Sequence, residues 1–140
     1  MDRLTFQINH RKGSQNKTSV DFQEFCINEK SLLELLPTQD LVGIIGSFKP
    51  EFDKEAVSQL LLKENSELNS GRIPIYICPE CGDLGCGAIT VSIEESAETY
   101  TWKDFGFENN YDEELLAEYN EIGPFTFSKM EYESALKQFV

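Results

Sequence analysis

Three of the four cysteines fall within the nine residues from Cys78 to Cys86, in Cys78-Pro-Glu-Cys81-Gly-Asp-Leu-Gly-Cys86-Gly. A Cys-Pro-x-Cys-Gly turn is the local chemistry of a zinc knuckle. Thiolates hold zinc tetrahedrally at about 2.3 Å, and glycine lets backbone amides turn toward the sulfurs. Structural zinc takes four ligands. Cys78, Cys81 and Cys86 supply three, no second Cys-x-x-Cys pair follows, and His10, Cys26 and Asp83 are the remaining donors. The plainer reading makes Cys78 and Cys86 small packing residues beside Ala88, on a loop shaped by its proline and glycines. A structural zinc on the three cysteines therefore stands as the alternative to a protein with no cofactor.

The second constellation is electrostatic. The formal net charge is −13, yet residues 1–20 carry four bases against one acid, so the rest of the chain carries −16. Between Lys103 and Lys129 no basic residue occurs, while Asp104, Glu108, Asp112, Glu113, Glu114, Glu118 and Glu121 all do. Such a field repels phosphate backbones and attracts basic proteins, so no nucleic-acid partner is expected. Aromatics interleaved with the acids, Tyr111 among them, are of the type that anchors protein interfaces. The expected partner-binding set is Asp104, Glu108, Tyr111, Asp112, Glu113, Glu114, Glu118 and Glu121. An EF-hand does not fit, because the stretch lacks alternating oxygen ligands and a central glycine.

Catalytic machinery is not evident. Asp104-Phe-Gly106 spells a kinase tripeptide without the glycine-rich loop, strand lysine or catalytic loop that would give it meaning. One histidine, His10, shares the parity of Leu4, Phe6 and Ile8 and reads as an inward strand residue. No phosphate-cradling loop is present. The chain does not read as an enzyme.

The elements that must position these residues follow from periodicity. At 140 residues the chain is read as one globular domain, residues 1–140. Leu4, Phe6 and Ile8 alternate as a strand, and Val20, Phe22 and Cys26 continue the alternation on a return strand around a turn near Ser14, pairing His10 with Thr18. Asn28 to Leu36 reads as a short helix stopped by Pro37. Leu41 to Ile45 is a short buried apolar run, and Phe52, Ala56, Val57, Leu60 and Leu61 mark an amphipathic helix. The cysteine hairpin follows, with Ile77 opposite Gly87, Ile75 opposite Ile89, and Cys78 opposite Cys86 at its neck. Thr99 to Lys103 adds a third strand, with Tyr100 and Trp102 opposite Ile93 and Val91. Asp112 starts a helix with Leu115, Leu116 and Tyr119 inward. Ser128 and Glu131 form a capping box for a last helix whose face is Tyr132, Ala135, Leu136 and Phe139. The class is α+β: an antiparallel β-hairpin and a three-stranded meander, with three to four helices packed on one face.

The segment from Ile75 to Val91, followed by Trp102-Lys-Asp-Phe-Gly106, Glu108-Asn-Asn-Tyr111 and Gly123-Pro-Phe-Thr-Phe127, resembles an uncharacterised family of small bacterial proteins and brings no site with it. In size, acidity and lack of catalytic residues the chain is also similar to immunity proteins of toxin–immunity systems, including those of contact-dependent growth inhibition. That likeness implies a cognate toxin as partner, often a basic nuclease, neutralised by being covered. With no signal-peptide pattern and no apolar run of the ~20 residues needed to span a bilayer, a cytoplasmic protein without membrane contact is expected.

Overall fold

The computed structural model describes residues 1–13, 15, 19–36, 41–66, 68, 70–78, 87–108 and 121–140, together with the backbone of 113–114. The described elements are β1 (Leu4–Arg11), β2 (Val20–Ile27), β3 (Lys30–Ser31), α1 (Leu32–Leu35), β4 (Val42–Gly43), α2 (Pro50–Leu60), β5 (Ile73–Ile77), β6 (Ala88–Glu95), β7 (Thr99–Glu108), β8 (Glu113–Glu114), β9 (Phe125–Ser128) and α3 (Lys129–Lys137). They make an α+β fold of two antiparallel sheets and three helices. One sheet runs β1-β2-β3; the other runs β4-β5-β6-β7-β8, with β9 also on β7.

The two sheets meet where β2 passes β4. The backbone N–H of Gln23 donates to the Ile45 carbonyl at 2.9 Å. Gly43 permits this approach, because a Cβ there would stand 2.9 Å from the Gln23 carbonyl oxygen. The apolar residues of both sheets then share one core with α2 and α3. Its centre is Trp102, fully buried among Phe25, Phe105, Phe127 and Tyr132. The polar ends of this cluster are satisfied in series. Trp102 Nε1–H donates to the Tyr132 hydroxyl at 3.1 Å, which donates to the Leu60 carbonyl at 2.6 Å. Tyr132 thereby ties α3 to the C-terminal end of α2.

Three expected registers shift. β5 and β6 pair Ile73 with Val91 and Pro74 with Thr90, as the alternation predicts, but a bulge then pairs Tyr76 with Ile89 and Ile77 with Ala88. The expected Ile75–Ile89 and Ile77–Gly87 pairs are therefore displaced by one residue. β6 and β7 are also bulged, and Trp102 faces Ile93 while Tyr100 faces Glu95. In the first hairpin His10 pairs with Asp21 rather than Thr18. An inserted residue explains the first of these shifts; the β1–β2 ladder is unbulged, and the Trp102 and Tyr100 pairs lie on the tip side of the β6–β7 bulge, so the turn sets the register in both hairpins.

Two helix expectations also change. Asn28 and Glu29 form a tight turn with φ of 55° and 70°, so the expected helix shrinks to α1 behind the short strand β3. Glu113–Glu114 pair with β7 as β8 instead of continuing a helix from Asp112; Asp112 and the expected helix positions 115–120 lie outside the described residues. β9 is a strand that alternation in Phe125-Thr-Phe127 could have signalled. Ser128 stands at the N-cap of α3 as expected, although its side chain makes no capping hydrogen bond.

Candidate functional site

The geometry of β7 explains how the acidic stretch is displayed. β6 occupies one edge of β7 along most of its length. The other edge is shared: β9 pairs Thr99 through Trp102, and β8 pairs Phe107 and Glu108. Asp104 falls between these two short partners. It opposes the bulge in β6–β7, adopts φ of 54°, and is exposed. Aspartate tolerates this left-handed conformation better than most side chains do, which suits it to the position. Glu121 is exposed in the turn leading into β9, and the backbone of Glu113 and Glu114 lies on β8. Asp104 on β7, the backbone of Glu113 and Glu114 on β8, and Glu121 ahead of β9 come from three separate stretches of chain. Farther along the meander, Glu94 pairs with Lys103 at 2.6 Å and Glu95 with Lys129 at 2.7 Å, so those acids are locally balanced. Lys129 beside Glu95 holds its carboxyl below the ordinary carboxylate value.

Glu108 does not belong to that surface, and its place among the expected partner-binding residues is corrected. It is 2% exposed. The Arg72 guanidinium lies 3.1 Å from its Oε1, within ion-pair range but without hydrogen-bond alignment. Thr90 Oγ1 donates to the same oxygen at 2.7 Å, and Ser70 Oγ contacts both carboxylate oxygens at 2.9 and 2.8 Å. Arg72 Nε in turn donates to Thr90 Oγ1 at 3.0 Å. An acid buried to this extent needs a counter-charge and donors to offset its desolvation, and this cluster supplies both. Tyr111, Asp112 and Glu118 lie outside the described residues.

Of the candidate zinc ligands, Cys78 is half-buried just after β5, and Cys81 and Cys86 lie outside the described residues. Among the described residues no group of three or more His, Cys, Asp or Glu side chains could hold a metal ion. His10 is exposed, not inward, and its Nδ1 contacts Asp21 Oδ1 at 2.5 Å. Cys26 is buried on β2, where burial first, and then the charges of Glu24 and Glu34, push its thiol pKa up.

A buried acid on β2 went unnoticed in the sequence. Glu24 is 2% exposed, and its Oε2 accepts from Ser31 Oγ at 2.5 Å and from the Leu33 backbone N–H at 3.2 Å. Its Oε1 accepts from the Tyr76 hydroxyl. Burial raises the Glu24 carboxyl above its ordinary value despite these donors, and burial beside Glu24 raises the Tyr76 phenol further. A signal was present: Glu24 shares the parity of Phe22 and Cys26, so the alternation that turns those two inward turns it inward as well. No family model, curated protein or solved structure matches the chain.

Proposed function

We propose that this protein is a cytoplasmic inhibitor of the immunity type, which binds a cognate toxin domain of basic character and blocks it by covering its surface. The reading rests above all on the stretch between Lys103 and Lys129, which carries seven acids and no base. Exposure of Asp104 and Glu121 supports it, since charges held in solvent act over a Debye length of about 10 Å and steer a basic surface toward them. The net charge of −13 adds a long-range pull of the same sign. Glu108 stands outside the proposed docking set; Asp104, Glu113, Glu114 and Glu121 belong to it, with Tyr111, Asp112 and Glu118 from the same stretch.

The test is association with the product of the neighbouring gene. Stopped-flow mixing with a purified basic toxin domain is expected to give a rate constant approaching ~10⁸ M⁻¹s⁻¹ at low salt, falling by at least about tenfold at high salt. Asp104→Lys with Glu121→Lys is expected to slow association further while leaving the fold intact. A toxin that forms no complex, or a complex whose association ignores both salt and charge reversal, would remove the basis of the reading.

A further inference from the structure

β1 has one paired edge and one open edge. The Asn28 N–H donates to the Arg3 carbonyl, whereas the Asp2 N–H turns the other way, to the Thr126 carbonyl. Antiparallel ladders alternate, so the odd residues from Arg3 to Arg11 bond to β2, and the even ones turn their N–H and C=O groups outward. β9 touches this outward edge at one parallel bridge, Asp2 with Phe127. The chain then enters α3 at Lys129, and among the described residues no strand covers the edge at Leu4, Phe6 or Ile8. Exposed edges are ordinarily guarded by lysine, proline or a bulge. Over Leu4–Arg11 β1 has none of these: its ladder with β2 runs eight residues without a shift, and Ile8 is 76% exposed.

Between β1 and α3 lies a groove of about 550 Å³, lined by Arg3 through Phe6 and by Met130, Glu131 and Ala135 among others. Successive side chains of a strand point to opposite faces, so a groove lined by four consecutive residues meets β1 along its edge. No residue of β2 lines it, which makes this the open edge. Backbone donors and acceptors that recur at every second residue are matched by another extended chain. A second copy of β1 suits the edge poorly. Antiparallel self-pairing centred between Gln7 and Ile8 would set Arg3 against Lys12, and like charges directly opposite are unfavourable. Arg3 stands at one end of the edge, with Arg11 and Lys12 at the other. The acids beside them are engaged: Asp2 accepts from Asn28 and Thr126, and Asp21 contacts His10. This charge pattern favours a strand with acids at its ends and apolar residues toward Met130 and Ala135.

We propose that the open edge of β1 takes an extended acidic peptide segment of a partner protein as an added strand, hydrogen-bonded to Leu4, Phe6 and Ile8 in the groove beside α3. This edge shares no residue with the acidic docking set, so either surface can fail its test without the other.

The experiment is a titration of ¹⁵N-labelled protein with the peptide acetyl-Asp-Val-Thr-Val-Thr-Val-Asp-amide, followed by amide shifts and hydrogen exchange. Saturable shifts and slowed exchange are expected at Leu4, Phe6 and Ile8, while exchange at Thr5 and Gln7, already bonded to β2, stays unchanged. The same peptide with lysine in place of both aspartates is expected to bind about tenfold more weakly. Ile8→Pro removes an outward N–H without touching the ladder to β2, and is expected to weaken binding at least about fivefold. Arg3→Glu, with a similar loss expected, carries the result if Ile8→Pro does not fold. Protection confined to the even positions, with weakening in either variant, supports the site. Absence of saturable shifts, equal affinity for the two peptides, or wild-type affinity in every folded variant overturns the proposal. Shifts at the same amides that grow with protein concentration alone would make a second copy the occupant and overturn the acidic peptide.

Discussion

Glu108→Ala separates an acid that serves a surface from one that serves the core. The Arg72 and Glu108 side chains are 10% and 1% exposed. Removing the carboxylate leaves a buried guanidinium without its counter-charge, and Thr90 and Ser70 lose their acceptor. Breaking a pair buried to this degree costs about 3–5 kcal/mol, because the surviving charge keeps its desolvation penalty and loses its attraction. For a chain of this length each kcal/mol lowers Tm by roughly 4 °C, so a fall of about 12–20 °C is expected. Asp104→Ser and Glu121→Ser, exposed acids of the same stretch, are expected to stay within about 0.5 kcal/mol of the parent. The double variant Arg72→Met/Glu108→Leu removes both charges and is expected to recover most of the loss, since apolar replacement of a buried pair is often neutral. Urea unfolding followed by the fluorescence of Trp102, the only tryptophan and fully buried, reports each stability directly. If Glu108→Ala lies within about 1 kcal/mol of the parent, or the double variant is no better than the single ones, burial of this pair does not set its energetics as argued.

Three further outcomes follow from the same geometry. Tyr132→Phe strands the Leu60 carbonyl and the Trp102 indole N–H in the core, with an expected loss of about 2–4 kcal/mol in urea unfolding; a loss under about 0.5 kcal/mol would show that water reaches these groups. Gly87→Ala forces a side chain onto φ of 100° with its Cβ 2.2 Å from Phe107 Cζ, so strain and overpacking together are expected to cost about 2–5 kcal/mol in thermal unfolding, and an unchanged Tm contradicts this. Glu24 titrates above its ordinary value of 4.5 when folded, so the folded state binds more protons in the window above 4.5; its contribution to stability is present below that value and is lost as pH rises through the raised one. Glu24→Gln is therefore expected to flatten the decline of Tm across that window, and identical slopes in parent and variant would contradict the assignment.

Much of the fold could be read from local pattern. The strands at Leu4, Phe22, Ile73, Ile89 and Tyr100, the α2 helix and the α3 helix all follow from alternation or helical spacing, because side-chain period is a property of consecutive residues. Bulges were not legible: the insertion between Pro74 and Tyr76 and the left-handed Asp104 depend on how a neighbouring strand is accommodated. The docking residues were only partly legible. Composition places Asp104 and Glu108 in one acidic run, but the bulged β7 exposes Asp104 and buries Glu108.

The amino-acid sequence by itself determined the charge of the protein and the α+β class, since each depends on residue type and short-range spacing. Only the tertiary structure decided which acids meet solvent and which meet partners. Arg72 reaches Glu108 across thirty-six positions of chain, and Tyr76 reaches Glu24 across fifty-two. A carboxylate is stable in the interior only where distant donors or a cation converge on it. That convergence is a property of packing between strands, and no local pattern in the chain encodes it.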